Sequence, residues 1–221
     1  MSDGTQNLLI ISVNLLPIGT YLCVLGLFHA LSRPLVTTGV RDYLALAIAL
    51  SGLVITGPIS YILHYRMLPD FLVHSHWIGL GMYLLFVAAL LPRSYERLII
   101  YNCSESSAVT AIRSIFGHLG LSYKEVPGGW ILADFGVSLE LDSFPALRNV
   151  TLRFHGMRDR TLFCRVHDEL AGALSATRTG WSLVGLSMAA AGGLLLAFPI
   201  WILSQNPQNI VALFRQVLET W

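Results

Sequence analysis

The chain has 221 residues, of which 54% are hydrophobic and only 12% are charged, against about 25% charged in an average soluble domain. Its formal net charge of +1 supplies no basic stripe to neutralise phosphates, so nucleic acid is not an expected partner. The three cysteines, Cys23, Cys103 and Cys164, have neither the spacing of a zinc site nor the context of a disulfide framework.

The first apolar run covers residues 8–31. Only Asp3 precedes it as a charge, so it lacks the basic leader of a signal peptide, and it is long enough to cross about 30 Å of hydrocarbon. It reads as a retained helix. Two further apolar runs follow at 43–63 and 71–91, and a fourth lies at 181–203. Pro17, Pro58 and Pro199 fall inside these runs, where proline predicts kinks in packed helices. No Asp, Glu, Lys or Arg lies deep in any run, which weighs against a proton-coupled transporter or a charged channel filter.

The loop between the second and third runs is rich in groups that bind metals. His64, Asp70, His74 and His76 could hold a transition metal or ligate haem. The preferred reading is hydrated interfacial histidines, because rings two residues apart on a helix diverge. At the first loop, His29, Arg33, Arg41 and Asp42 form a second polar group, suited to lipid phosphate or to a salt link.

Residues 96–177 read as a small α+β domain of order β-α-β-β-β-β-α with a mainly antiparallel sheet. Alternation marks the strands at Val137, Leu139, Leu141 and at Val150, Leu152, Phe154. Ser104 caps a helix whose Ala108, Ile112, Ile115, Phe116 and Leu119 recur at three and four, ended by Gly120. Pro127, Gly128 and Gly129 predict a hairpin-like turn. A second helix presents Leu162, Val166, Leu170 and Leu174 and runs toward the fourth span.

Cys103 sits between the first strand and this helix's N-terminus, a place that can lower a thiol's pKa. Residues 98–126 (LIIYNCSESSAVTAIRSIFGHLGLSYKEV) resemble the opening β-α-β of glutaredoxin-like domains. The resemblance implies that Cys103 is a nucleophilic thiol, with a cis-proline loop and glutathione site to follow. The chain departs from that pattern by continuing into successive strands, so a packing or capping role for Cys103 is preferred. Walker, GxSxG, HExxH and GxGxxG motifs are absent, and no cofactor is expected.

In the fourth run Gly185, Ala189 and Gly193 fall every four residues, a small-residue face for another helix in the same chain or in a partner. After it, Asn206 and Pro207 start an amphipathic helix bearing Ile210, Leu213, Phe214, Val217, Leu218 and Trp221.

The layout predicts an α-helical integral membrane protein with four transmembrane helices in a three-plus-one arrangement. Its parts are a three-helix region (1–95), a soluble α+β domain (96–177), a fourth membrane helix (178–204) and an amphipathic C-terminal helix (205–221). Basic residues beside the runs, with Arg33, Arg41, Arg93, Arg97 and Arg178 on one side and Arg66 and Arg215 on the other, place the domain in the cytoplasm and both termini outside an inner membrane. The expected function is non-enzymatic assembly, sensing or interaction, with the bilayer and a protein partner or second copy as contacts. The alternatives are a redox or metal/haem protein using Cys103 or the histidine loop, and an oligomeric transporter subunit.

Overall fold

Residues Leu35–Thr38 form a strand where the sequence predicts only a loop between helices. The computed structural model describes residues 3–30, 33–55, 75–157 and 160–205. In chain order these are α1 (Asp3–Ala30), β1 (Leu35–Thr38), α2 (Gly39–Ile55), α3 (Ser75–Leu90), β2 (Arg97–Tyr101), α4 (Glu105–His118), β3 (Lys124–Val126), β4 (Gly129–Leu132), β5 (Val137–Phe144), β6 (Asn149–His155), α5 (Arg160–Ser175) and α6 (Leu183–Gln205).

The six strands make one antiparallel sheet of order β1-β2-β6-β5-β4-β3. Period-two alternation sends Leu98, Ile100, Leu132, Val137, Leu139, Val150, Leu152 and Phe154 to one face. There α4 adds Ala108, Ile112, Ile115 and Phe116, and α5 adds Leu162, Phe163, Val166, Leu170 and Leu174, to form a single core. The α4 cap is local chemistry: the Ser104 hydroxyl oxygen accepts the Ser107 N–H at 3.3 Å. Gly120 follows the helix with φ +65°. Pro127 and Gly128 (φ +80°) turn β3 into β4, proline at the second and glycine at the third position of a tight turn.

Two units partition the chain. One contains residues 1–24, 45–88 and 190–221; the other contains 25–44 and 89–189, and so includes the whole sheet. Within the first, the Tyr83 hydroxyl of α3 donates to the Ala47 carbonyl of α2. A Cβ on Gly52 of α2 would lie 3.2 Å from the Asn14 carbonyl oxygen of α1.

The expectation of a four-span helical membrane protein is overturned. Among the described residues only α6 is long and apolar enough to cross a membrane. Among the described residues α2 and α3 comprise 17 and 16 residues, about 25 Å at 1.5 Å per residue against a hydrocarbon core of about 30 Å. In α1 the apolar stretch is Asn14–Ala30, and the helix buries the polar side chains of Ser12, Asn14 and His29. An apolar run reports that a helix avoids water; it does not report whether protein or lipid covers it. The sheet also gains a strand, because β1 comes from the first loop rather than from 96–177. The C-terminal amphipathic segment, 206–221, lies outside the described residues.

Candidate functional site

All residues in this site belong to the unit that contains the sheet. Its geometry starts from β1. Because Leu35 pairs opposite Tyr101, the chain leaving α1 returns beside the end of β2, and His29 near the C-terminus of α1 meets the Tyr101 ring. The two rings lie edge to face with centroids 5.2 Å apart. The register Ile100↔Val150 puts Asn149, at the start of β6, next to Tyr101 on the sheet face opposite the core.

His29 is fully buried, and both ring nitrogens are engaged. Nδ1 donates to the Leu25 carbonyl at 2.8 Å, one helical turn earlier. Nε2 lies 2.9 Å from Asn149 Oδ1. A carboxamide turns over to offer either its oxygen or its NH2, so Asn149 can satisfy an imidazolium or a neutral ring in the same place. The Tyr101 hydroxyl donates to Asp42 Oδ1, in the first turn of α2, where a carboxylate also favours the helix dipole. Buried polar groups are retained at such depth only when paired. Here the pairing ties α1, α2, β2 and β6 together through side chains.

The turn residues beside this group extend it. Asn102 and Arg148 are the two non-glycine residues with positive φ among the described residues, at 54° and 50°. Asn tolerates the left-handed region; Arg gives up roughly 1–2 kcal/mol there. The two turns are joined by Cys103 N–H donating to the Arg148 carbonyl at 2.7 Å. Both then hold the connection into α6: Asn102 Nδ2 donates to Thr179 Oγ1 at 2.8 Å, and Arg148 Nη1 donates to the Gly180 carbonyl at 3.0 Å. Adjacent residues thus have separate tasks, Asn149 gripping the end of α1 and Arg148 the approach to α6.

The helices themselves meet at backbone distance. A Cβ on Gly26 of α1 would stand 2.2 Å from the Ala189 nitrogen, and one on Gly185 would stand 2.6 Å from both the Ala30 nitrogen and the His29 carbonyl carbon. Only glycine fits at these two positions, so two members of the predicted small-residue face pack inside the chain. The third, Gly193, has nothing within 4 Å of a built Cβ.

Truncating Asn149 to alanine leaves the buried His29 Nε2 without its partner, and a loss of about 1–3 kcal/mol is expected. Thermal unfolding against the parent chain measures it.

The other sequence candidates fall elsewhere. Cys103 is buried, its Sγ 3.4 Å from the Ser104 carbonyl oxygen, and burial pushes the thiol up from its ordinary range. His64, Asp70 and His74 lie outside the described residues, and His76 falls in the first turn of α3. Among the described residues no group of three His, Cys, Asp or Glu side chains is placed to hold a metal ion.

His118, His155 and His167 do not converge. They face Glu169, Glu140 and Asp168 respectively. On the open sheet face Arg153 donates to Asp142 at 3.1 Å and lies 4.0 Å from Glu140, an exposed cross-strand ladder of modest energetic weight.

A shallow groove of about 170 Å³ runs between α4 and the β3–β5 strands, lined by Glu105, Arg113, Glu125 and Trp130 among others. There Arg113 grips Glu125 through two hydrogen bonds, at 2.7 and 3.0 Å, which holds the Glu125 carboxyl below its usual range.

His29 and Asp42 group by proximity in sequence, whereas Tyr101 and Asn149 lie far along the chain and carry no local signal of this site. The signal available was the short Val36-Thr37-Thr38 run between Pro34 and Gly39, a strand composition with turn residues at both ends. No protein-family model matches the chain, and no curated protein or solved structure matches it either.

Proposed function

We propose that this chain is a non-enzymatic interaction subunit anchored to a bilayer by α6, with its α+β domain available to a partner on the cytoplasmic side. The observation that carries the reading is the exposure of α6. It is 23 residues long and strongly apolar, yet only 17% of an 18-residue apolar stretch within it is buried in the protein. A core helix of a water-soluble fold would be covered. Contiguous apolar surface of this size calls for a lipid or protein environment.

Trp181 and Trp201 support lipid. They are 75% and 59% exposed, and exposed indole rings flanking an apolar helix suit the headgroup level. The exposed Ile48, Leu85 and Phe86 of the shorter helices add apolar surface with the same need. Arg178 precedes α6, and basic residues favour the cytoplasmic side, which puts the Leu183 end and the domain there. The buried polar groups of the candidate site are taken up in fixing the domain's own structure. Cys103 is buried, and His29, Tyr101 and Asn149 are occupied with one another and with neighbouring elements.

Alkaline extraction of membranes from cells expressing the chain tests the anchor. Retention in the pellet is expected. Release into the supernatant, as for a peripheral protein, would end this reading.

A further inference from the structure

Three exposed arginines, Arg33, Arg41 and Arg178, lie on segments whose neighbouring residues contact or lead into the start of α6. Ala30 and His29 meet Gly185, and Arg33 stands three residues after Ala30 in the sequence. Arg178 belongs to the same connection that Asn102 and Arg148 hold at Thr179 and Gly180. Arg41 adjoins Asp42, which receives the Tyr101 hydroxyl beside His29.

Arg33, Arg41 and Arg178 are exposed, and none makes an ion pair among the described residues. The carboxylate next to Arg41 in sequence, Asp42, accepts the Tyr101 hydroxyl and forms no ion pair among the described residues. Next to the arginines the surface turns abruptly apolar, with Trp181 and Leu183 75% and 83% exposed.

Unpaired guanidiniums bordering an exposed tryptophan and an apolar helix complement one surface in particular. Phosphodiesters lie above acyl chains there, with the indole ring at the boundary. Resting on the bilayer reading above, we propose that Arg33, Arg41 and Arg178 bind the headgroup phosphates of anionic phospholipids at the Leu183 end of α6. Guanidinium forks suit phosphate better than lysine does. Each basic side chain near an anionic surface adds to the attraction, and salt screens it.

The test uses the full chain in phosphatidylcholine nanodiscs with and without phosphatidylglycerol. In the anionic discs thermal unfolding is expected to rise by about 5 °C, and high salt should abolish the rise. The triple variant R33Q/R41Q/R178Q should lose it, and R33K/R41K/R178K should keep most of it. Equal unfolding temperatures in both discs, or an undiminished rise in the glutamine variant, would overturn the proposal. Soluble glycerol phosphate reproducing the rise in neutral discs would overturn the lipid as the source. A chain that enters neither disc defeats the bilayer reading itself, whereas one that enters both without a headgroup effect defeats only this inference.

Discussion

Replacing Leu194 by arginine is expected to release the chain from membranes under alkaline extraction. Leu194 is the central residue of α6 and is 74% exposed, so the new guanidinium cannot withdraw into protein. Nor can it easily reach either headgroup level from mid-helix. At the centre of an apolar helix arginine costs about 2.5–3.5 kcal/mol for insertion, and the lost leucine adds roughly 0.5 kcal/mol. A total near 3–4 kcal/mol lowers partitioning by a factor of several hundred. Leu194→Ala keeps the segment apolar and should stay in the pellet. If L194R is retained as firmly as the parent, α6 is not surrounded by lipid at this position.

The second large effect is expected from the smallest side chain that can be added. Gly185→Ala places a methyl 2.6 Å from the Ala30 nitrogen and the His29 carbonyl carbon, and backbone cannot step aside as a flexible side chain can. The helices must separate, which shifts His29 away from Asn149. A destabilisation on the order of 2–4 kcal/mol is expected. Gly193→Ala is the same chemical change in the same helix, but its Cβ meets nothing. There helix propensity dominates, and the variant should be more stable by roughly 0.5–1 kcal/mol. Thermal unfolding of both variants in detergent reads the two signs. Similar behaviour of the pair would mean that the close crossing at Gly185 is not present in solution.

The parts legible in the sequence were those set by short-range periodicity. The three-and-four spacing of Ala108, Ile112, Ile115 and Phe116 is the buried stripe of α4, and the alternation at Val150, Leu152 and Phe154 is the core face of β6. The Pro127-Gly128 turn carried its own backbone requirement. Long-range partners had no such signal. β1 is four residues long and pairs with a strand sixty or more positions later, while His29 and Asn149 are 120 apart.

Arg148 in the left-handed region breaks a local rule, and nothing in its neighbours announces it. It is held there by bonds from its carbonyl to Cys103 and from its side chain to Gly180. For α1 the excess of expected spans has a physical origin. Hydropathy counts apolar residues without recording what they face, and α1 directs Ser12, Asn14 and His29 into protein.

The most direct test of the account is a nitroxide at position 194, in a Leu194→Cys chain with Cys23 and Cys164 changed to serine and the protein reconstituted in lipid. Oxygen concentrates in acyl chains, and a polar nickel chelate stays in water. The account predicts that oxygen relaxes the label strongly and the chelate hardly at all. Relaxation dominated by the chelate would put the centre of α6 in water and contradict it.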